Sequence, residues 1–311
     1  MSFLNLIKNM LQSAVGRAFS SVLMFISVFF SIFSAFPVLL SYLSEGRKKG
    51  LYVILFGTIF AYALGSWSFA IFYILTIGLA SVLIAEFIIV GTGFTRTIFL
   101  TTLIMLLVYL TLLFTVSYIN SSGVIDYLSF HVGSTVVFMN TNFPDVIRQT
   151  LVDSGMSEQE FIKNVVLQIP STSVVILIIF LLINILMVAN FNKEAQSFLK
   201  MEKLQSFRMP DGFVWAAIAL GGLYLYSSSE YNNYILLEAM ARLFFYGLMG
   251  FYFLQGMLIS YVITNIKVPS PFLRMLLFSI LIVFAYIFVT AIGFFDTWFD
   301  FRKYFKKGEK S

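Results

Sequence analysis

Two oppositely charged residues stand out inside an apolar stretch of the last third of the chain. Glu238 and Arg242 are the one acid and the one base between Tyr234 and Ile266. Four residues apart on a helix, they share a face and can form an ion pair. A charge at the centre of a bilayer costs about 2.5–3.5 kcal/mol on insertion scales, so ionisable residues within a span suggest a functional site. The pair predicts either part of a substrate cavity or an ion pair at the outer headgroup layer.

Two amide side chains also lie within apolar stretches of the chain. Gln255 precedes Gly256, and Asn184 lies in the middle of a run of Leu and Ile. An amide inside a membrane span needs a hydrogen-bond partner, either on a neighbouring helix or on a bound ligand. The candidate substrate-binding residues are therefore Glu238, Arg242, Gln255 and Asn184.

The chain has few of the residues that several kinds of metal-binding and catalytic sites require. It has no cysteine and a single histidine, His131, which argues against thiolate metal sites, histidine clusters and Ser-His-Asp catalysis. The turn Gly91-Thr92-Gly93 lacks the lysine of a phosphate-binding loop. No pair of acids has catalytic spacing within the apolar runs. We therefore expect a protein that is not an enzyme, with no metal site and no cofactor.

The composition indicates that lipid is the solvent for most of the chain. Hydrophobic residues make up 59% and charged residues 11%, against roughly 25% charged in soluble domains. The apolar runs are long, so we predict an all-α, polytopic integral membrane protein with about 8–9 membrane segments, a multi-pass protein of the cell membrane. The net charge of +5 lies mostly in short loops and the tail, which is a topology signal and not a nucleic-acid signal.

The longest element is predicted over Tyr234 to Ile266. It has 33 residues, so a continuous helix would be ~50 Å long at ~1.5 Å per residue, against a hydrocarbon core of ~30 Å. Such a helix crosses a bilayer and extends into the headgroups, or crosses it at a steep tilt.

Polar breaks divide the rest of the chain into consecutive parts. We predict, in order, an interfacial amphipathic helix over 1–18, an N-terminal membrane unit over 19–191, a cytoplasmic linker over 192–211, C-terminal membrane helices over 212–294 and a basic tail over 295–311. The N-terminal unit contains an acidic outer lid or loop, 119–170. Pro144 is expected to open a short helix in this lid, Ser157 and Glu160 to form a capping box, and Pro170 to end the lid.

The run from Phe19 to Ser44 allows two interpretations. It is long enough for one span, but basic residues flank both ends, so both ends favour the cytoplasm. Pro37 disfavours a continuous helix. The favoured interpretation is a broken pair, with a helix running outward to about Ser34 and a short return from about Pro37 to Ser44.

If Phe19 to Ser44 is a broken pair, four basic loops fall on the cytoplasmic side, as the positive-inside rule requires. With the break, the loops 45–50, 91–96, 192–211 and 267–274 fall inside and the acidic 119–170 falls outside. The same count places the basic tail outside, against the rule. A single span would reverse the other loops, so the side of the C-terminus stays open.

Three groups of residues in the last third carry a resemblance to a known family. They are Phe207-Arg208-Met209-Pro210-Asp211, Tyr252-Phe253-Leu254-Gln255-Gly256 and the run from Gly293 to Lys303. In these groups the chain resembles the YybS-like family of bacterial multi-span membrane proteins, a domain-of-unknown-function group. That family is generally grouped with the S-components of energy-coupling-factor vitamin transporters. The resemblance implies a six-helix, S-component-like N-terminal unit, and the broken pair gives six segments by Ala189.

Two sets of residues are candidates for partner docking. Ala14 and Ala18 are small residues four apart, similar to the motif by which S-components dock their transmembrane coupling subunit; ordinary helix packing is the alternative. The second set follows the last span and consists of Asp296, Trp298, Asp300 and Arg302, for which a solvated, aromatic-anchored helix end is the alternative.

Three functions follow from these patterns. The first is a substrate-binding, S-component-like component of small-molecule transport without its own ATPase, which requires ATPase and transmembrane coupling subunits as partners and a small-molecule ligand. The second is a membrane scaffold or assembly protein that recruits partners through 192–211 and the tail. The third, an intramembrane enzyme, has the least support from the residues.

Overall fold

A computed structural model describes residues 13–27, 29–189, 191–198, 207–228, 235–268, 273 and 286–301. These residues form helices and connecting turns, and none of them lies in a strand. The helices are α1 Ala14–Ile26, α2 Phe36–Glu45, α3 Arg47–Leu64, α4 Trp67–Val90, α5 Phe94–Ile119, α6 Val124–Asn142, α7 Pro144–Ser154, α8 Glu158–Ala189, α9 Lys193–Phe198, α10 Gly212–Ser227, α11 Ile235–Lys267 and α12 Tyr286–Phe299.

The chain divides into two compact units, each built from two sequence segments. Unit 1 comprises Met1–Val108 and Leu177–Phe207, and unit 2 comprises Tyr109–Ile176 and Arg208–Ser311. The boundaries fall inside α5 and α8. These units differ from the consecutive parts predicted from the sequence, because residues of the predicted lid belong to the same unit as the C-terminal helices.

The run from Phe19 to Ser44 is broken, as the favoured interpretation predicts. The first helix ends at Ile26, however, and not near Ser34, and a 3-10 turn over Ser31–Phe33 precedes α2. Pro37 lies in the first turn of α2, where its missing N–H costs nothing. The Ser21 hydroxyl donates to the Ser34 carbonyl at 2.6 Å. This bond ties the irregular segment to α1.

The turn after α3 is set by Gly65 and Ser66. Ser66 has an extended backbone, and its side chain accepts a hydrogen bond from the Phe69 N–H at 3.3 Å. Such N-caps satisfy one of the free donors of a helix start. The following α4 runs to Val90 with a π-helical segment at Ile74–Gly78.

The predicted lid is helical. Its short helix begins at Pro144, as predicted. The capping box is also confirmed, since the Ser157 N–H donates to the Glu160 carboxylate at 2.8 Å and the Glu160 N–H donates to the Ser157 hydroxyl at 3.4 Å. The prediction that Pro170 ends the segment is wrong, because α8 continues through it. Prolines are tolerated in membrane helices, where nearby hydroxyls and neighbouring helices satisfy freed backbone groups.

The long helix of the last third is continuous. It covers Ile235–Lys267, as the apolar run predicts. In α12 the described part begins at Tyr286 and runs to Phe299, so the start of the predicted tail, residues 295–299, is helical. Most of the predicted last span, 274–285, lies outside the described residues.

Two glycines let α11 and α12 cross with their backbones in direct contact. A Cβ atom on Gly256 would overlap the Val289 carbonyl oxygen, and one on Gly293 would overlap the Tyr252 carbonyl oxygen. Such close crossings require small residues. This contact fixes α12 against the middle of α11.

Four of the described helices are long and apolar enough to cross a membrane: Trp67–Val90, Arg96–Ile119, Glu158–Ala189 and Ile235–Ser260. Shorter apolar helices are present at Ala14–Ile26, Gly212–Ser227 and Tyr286–Phe299. The helical, membrane-embedded character predicted from the composition is therefore confirmed.

Candidate functional site

Unit 2 contains a cavity of about 620 Å³. Small-molecule sites commonly have volumes of about 300–1,000 Å³. The wall comes from the end of α7, the first half of α8, α10 and the first turns of α11. Its lining residues are Ser154, Met156, Phe161, Asn164, Val165, Gln168, Ser171, Thr172, Val175, Tyr224, Arg242 and Tyr246. The wall is thus mixed, with apolar patches, neutral polar groups and one guanidinium.

Arg242 is the charged residue of this wall. Its Nη2 donates to Glu238 Oε1 at 2.6 Å, and each side chain is 12% exposed. The predicted i, i+4 ion pair is therefore formed. The Arg242 Nε is buried without a hydrogen-bond partner among the described residues. The largely buried guanidinium thus lines the cavity, and the described residues do not use all of its donors.

Aromatic rings fix one side of the guanidinium. The Arg242 Cζ lies 5.4 Å from the centroid of the Tyr224 ring, a distance at which a cation is attracted to the ring face. The Tyr246 ring contacts Tyr224 edge-on at 5.9 Å. Since both tyrosines also line the cavity, they position Arg242 and add aromatic surface to the wall.

The polar part of the wall follows one stripe of α8. Asn164, Gln168, Ser171 and Thr172 are spaced by four, three and one residue, which places them on one helix face. The sequence contained this signal. It was missed because the helix was expected to end at Pro170, which divides the stripe into a lid part and a span part.

Gln255 lies elsewhere on α11 and is fully buried. Its Oε1 accepts from the Met209 N–H at 2.8 Å, and its Nε2 donates to Asp296 Oδ2 at 3.0 Å. It is 13 residues from Arg242, which corresponds to ~20 Å along the helix at ~1.5 Å per residue. Gln255 is not among the residues that line the cavity. The structure therefore brings Glu238 and Arg242 together and leaves Gln255 in a separate network.

That network holds three elements of unit 2 together. Asp296 is 1% exposed, and its Oδ1 accepts from the Phe301 N–H at 2.9 Å. Arg208 donates to the Thr297 carbonyl at 2.6 Å. The chain before α10, the middle of α11 and the end of α12 are thus joined through Gln255 and Asp296. Two of the three sequence groups that carry the family resemblance supply this pair.

Asn184 belongs to unit 1. It is fully buried, and its Nδ2 donates to the Ile32 carbonyl at 2.7 Å and to the Phe180 carbonyl at 2.8 Å. Its Oδ1 is buried and has no partner among the described residues. The side chain supports the 3-10 turn between α1 and α2.

The predicted docking residues differ in exposure. Ala18 is fully buried inside unit 1 and Ala14 is half-buried. The Asp296 carboxylate is used inside unit 2, whereas Trp298 is 48% exposed. Asp300 follows α12 with a positive φ of 43°. Arg302 lies outside the described residues.

Among the described residues of unit 1, three bases form ion pairs. Arg17 is buried and pairs with Glu45 at 2.6 Å, and Arg47 pairs with Glu86 at 2.6 Å. The hydrogen bond to Glu86, together with its charge, raises the pKa of Arg47 above its usual range. Lys49 lies 3.7 Å from Glu45. Within the part of the chain that the structure describes, no three His, Cys, Asp or Glu residues are grouped to hold a metal ion.

A family model described as "Predicted membrane protein (DUF2232)" matches residues 17–297. The chain belongs to this family. The match covers most of both units, including the cavity and the Gln255–Asp296 pair. No curated protein and no solved structure matches the chain. As a DUF2232 member with several apolar helices, the protein is membrane-embedded.

Proposed function

We propose that this DUF2232 member is a substrate-binding component of small-molecule transport that resembles the S-components of energy-coupling-factor transporters. The observation that supports this is the cavity of about 620 Å³ in unit 2. Its wall combines apolar side chains with a buried guanidinium and several amides and hydroxyls. Sites that bind small molecules have this mixture of an apolar wall and a few polar groups.

Active transport requires partners under this proposal. The sequence has no phosphate-binding loop, so the energy would come from a separate ATPase through a transmembrane coupling subunit. The small residues at the start of α1 are the proposed docking point; Ala14 is half-buried and accessible, while Ala18 packs inside unit 1. We further propose the cell membrane as the location, about 8–9 membrane segments and no enzymatic activity.

A membrane scaffold is the second candidate function. The observation that favours it is the aromatic end of α12, where Phe295, Trp298 and Phe299 are 45–60% exposed. Aromatic side chains are enriched in protein interfaces, but they also form the aromatic belts of membrane proteins. A scaffold needs no cavity, so ligand retention separates the two functions.

The test is mass spectrometry of everything that co-purifies with the tagged, full-length protein in mild detergent. Wild type is compared with Thr172→Trp, which fills the cavity, and with Ser173→Trp, a matched change at the neighbouring exposed residue that does not line it. We expect an ATPase, a coupling subunit and a small molecule with wild type and Ser173→Trp. We expect Thr172→Trp to lose the small molecule.

Two results would contradict the proposal. A small molecule retained equally by Thr172→Trp would place its binding outside this cavity. Recovery of assembly or envelope proteins, with no small molecule in any variant, would favour the scaffold.

A further inference from the structure

The residues that line the cavity include one positively charged side chain and no negatively charged one. Arg242 is the one Lys, Arg, Asp or Glu among the lining residues, and the other titratable groups in the lining are the neutral phenols of Tyr224 and Tyr246. Glu238 binds the guanidinium but is not itself part of the lining. A ligand inside the cavity therefore meets a cation and no carboxylate on the described wall.

The described protein groups use only part of the Arg242 guanidinium, which lines the cavity. Glu238 accepts from Nη2, and the Tyr224 ring lies over the face at 5.4 Å from Cζ. The Nε is buried without a partner among the described residues. An arginine has five N–H donors and no acceptor, so only an acceptor can satisfy the Nε. Leaving a buried donor unsatisfied costs about 1–3 kcal/mol, and more for a charged group.

We propose that the cavity binds the oxyanion group of its ligand, a carboxylate or a phosphate, against the guanidinium of Arg242. Two oxygens of a carboxylate or a phosphate match the fork of the guanidinium and form short, charge-assisted hydrogen bonds with it. The amides of Asn164 and Gln168 bind the neutral polar part of the ligand, and Phe161 with the two tyrosines contacts its apolar part. This inference rests on the proposed function, since it names the chemical class of the substrate in the same cavity.

The same oxyanion chemistry has two sources in a membrane. One is a small soluble acid or phosphate ester, and the other is a phospholipid headgroup. The cavity volume of about 620 Å³ admits either a drug-sized molecule or a headgroup. The experiment therefore has one arm for each source.

The first arm measures binding of soluble probes to the full-length, delipidated protein in detergent by isothermal titration calorimetry. The probes are phenyl phosphate and benzoate, and the matched uncharged probe is benzamide. We expect both acids to bind at least tenfold more tightly than benzamide. The control variant is Arg148→Gln, which removes an exposed arginine of α7 outside the cavity lining and leaves the affinity unchanged.

The variant that tests the proposal removes both charges of the pair. Arg242→Gln alone leaves Glu238 buried without its partner, a change that can unfold the helix pair. The double variant Glu238→Gln/Arg242→Gln leaves no unpaired charge. We expect it to lose at least tenfold in affinity for phenyl phosphate while its affinity for benzamide is unchanged.

The second arm measures phospholipids that stay bound after purification, by mass spectrometry of wild type and the double variant. Retention of anionic phospholipid that depends on Arg242, with no binding of phenyl phosphate, supports the oxyanion and assigns it to a headgroup. Binding of phenyl phosphate that is not displaced by dioctanoyl phosphatidylglycerol assigns it to a soluble molecule.

Two outcomes overturn the inference, and they differ in what they say of the proposed function. If a small molecule is lost in Thr172→Trp but retained in the double variant, the cavity is a substrate site whose ligand is not an oxyanion. If neither the soluble probes nor lipid bind in an Arg242-dependent way and Thr172→Trp loses nothing, the inference and the proposed function fail together.

Discussion

Buried polar side chains of this protein are used in two different ways. Gln255 has both amide atoms bonded to protein groups, whereas Arg242 has a buried Nε without a partner among the described residues. A satisfied amide stabilises the fold, because each orphaned buried partner costs free energy. The Arg242 guanidinium differs in that it lines the cavity, where a ligand can meet it. Sequence position could not distinguish the two, since both lie within one long apolar helix.

Replacing Gln255 with leucine should lower stability without changing the cavity. Gln255→Leu leaves the Met209 N–H and the Asp296 carboxylate short of one partner each, at about 1–3 kcal/mol per group. We expect a lower thermal unfolding midpoint by tryptophan fluorescence, with unchanged phenyl phosphate affinity in the folded protein. The matched control is Gln159→Leu, at an exposed glutamine of α8. Lost probe affinity at unchanged stability would return Gln255 to the substrate site.

Among the elements, the close crossing of α11 and α12 depends on two positions that have no side chain. Gly256 and Gly293 bring backbone against backbone, and the Gln255–Asp296 hydrogen bond lies next to this contact. The crossing and the hydrogen bond therefore support each other. A change at either glycine should disturb both.

Gly293→Ala should be strongly destabilising, because its Cβ would overlap the Tyr252 carbonyl oxygen. Overpacking in a close contact costs typically about 1–3 kcal/mol. Gly222→Ala is the matched control in α10, where an added Cβ meets nothing within 4 Å and should stabilise the helix by about 0.5–1 kcal/mol. Thermal unfolding followed by circular dichroism measures both. Equal behaviour of the two variants would contradict the close crossing.

Helices were easier to predict here than the contacts between them. The long apolar run predicted α11, and Pro144 and the Ser157–Glu160 box marked helix starts that the structure confirms. Pro170 was misjudged because a proline rule for soluble helices was applied to a helix that continues into the membrane. The cavity could not be predicted, because its wall joins stretches of chain that are far apart in sequence.

At the scale of the whole molecule, the orientation of the loops in the membrane stays a prediction. The broken segment between α1 and α2 fits the topology in which the loop before α3 is cytoplasmic. The basic residues of that loop also favour the cytoplasmic side under the positive-inside rule.

Single cysteines can test this orientation directly, since the chain has none of its own. Thr92→Cys and Lys193→Cys should be protected from a membrane-impermeant maleimide in intact cells, and Asn120→Cys should react. All three should react after permeabilisation, which is the control. The reverse pattern would favour a single span over Phe19 to Ser44.

The bond between Asn184 and the Ile32 carbonyl can form only late in the synthesis of the chain. Its partners are 152 residues apart, and ribosomes add about 5–20 residues per second. The segment around Ile32 is thus synthesised about 8–30 s before Asn184, whose side-chain amide supports it. During that time the irregular backbone lacks the Asn184 amide and is held only by earlier residues, for example through the bond from the Ser21 hydroxyl to the Ser34 carbonyl. A nascent chain stalled before residue 177 should therefore be recovered bound to the insertion machinery.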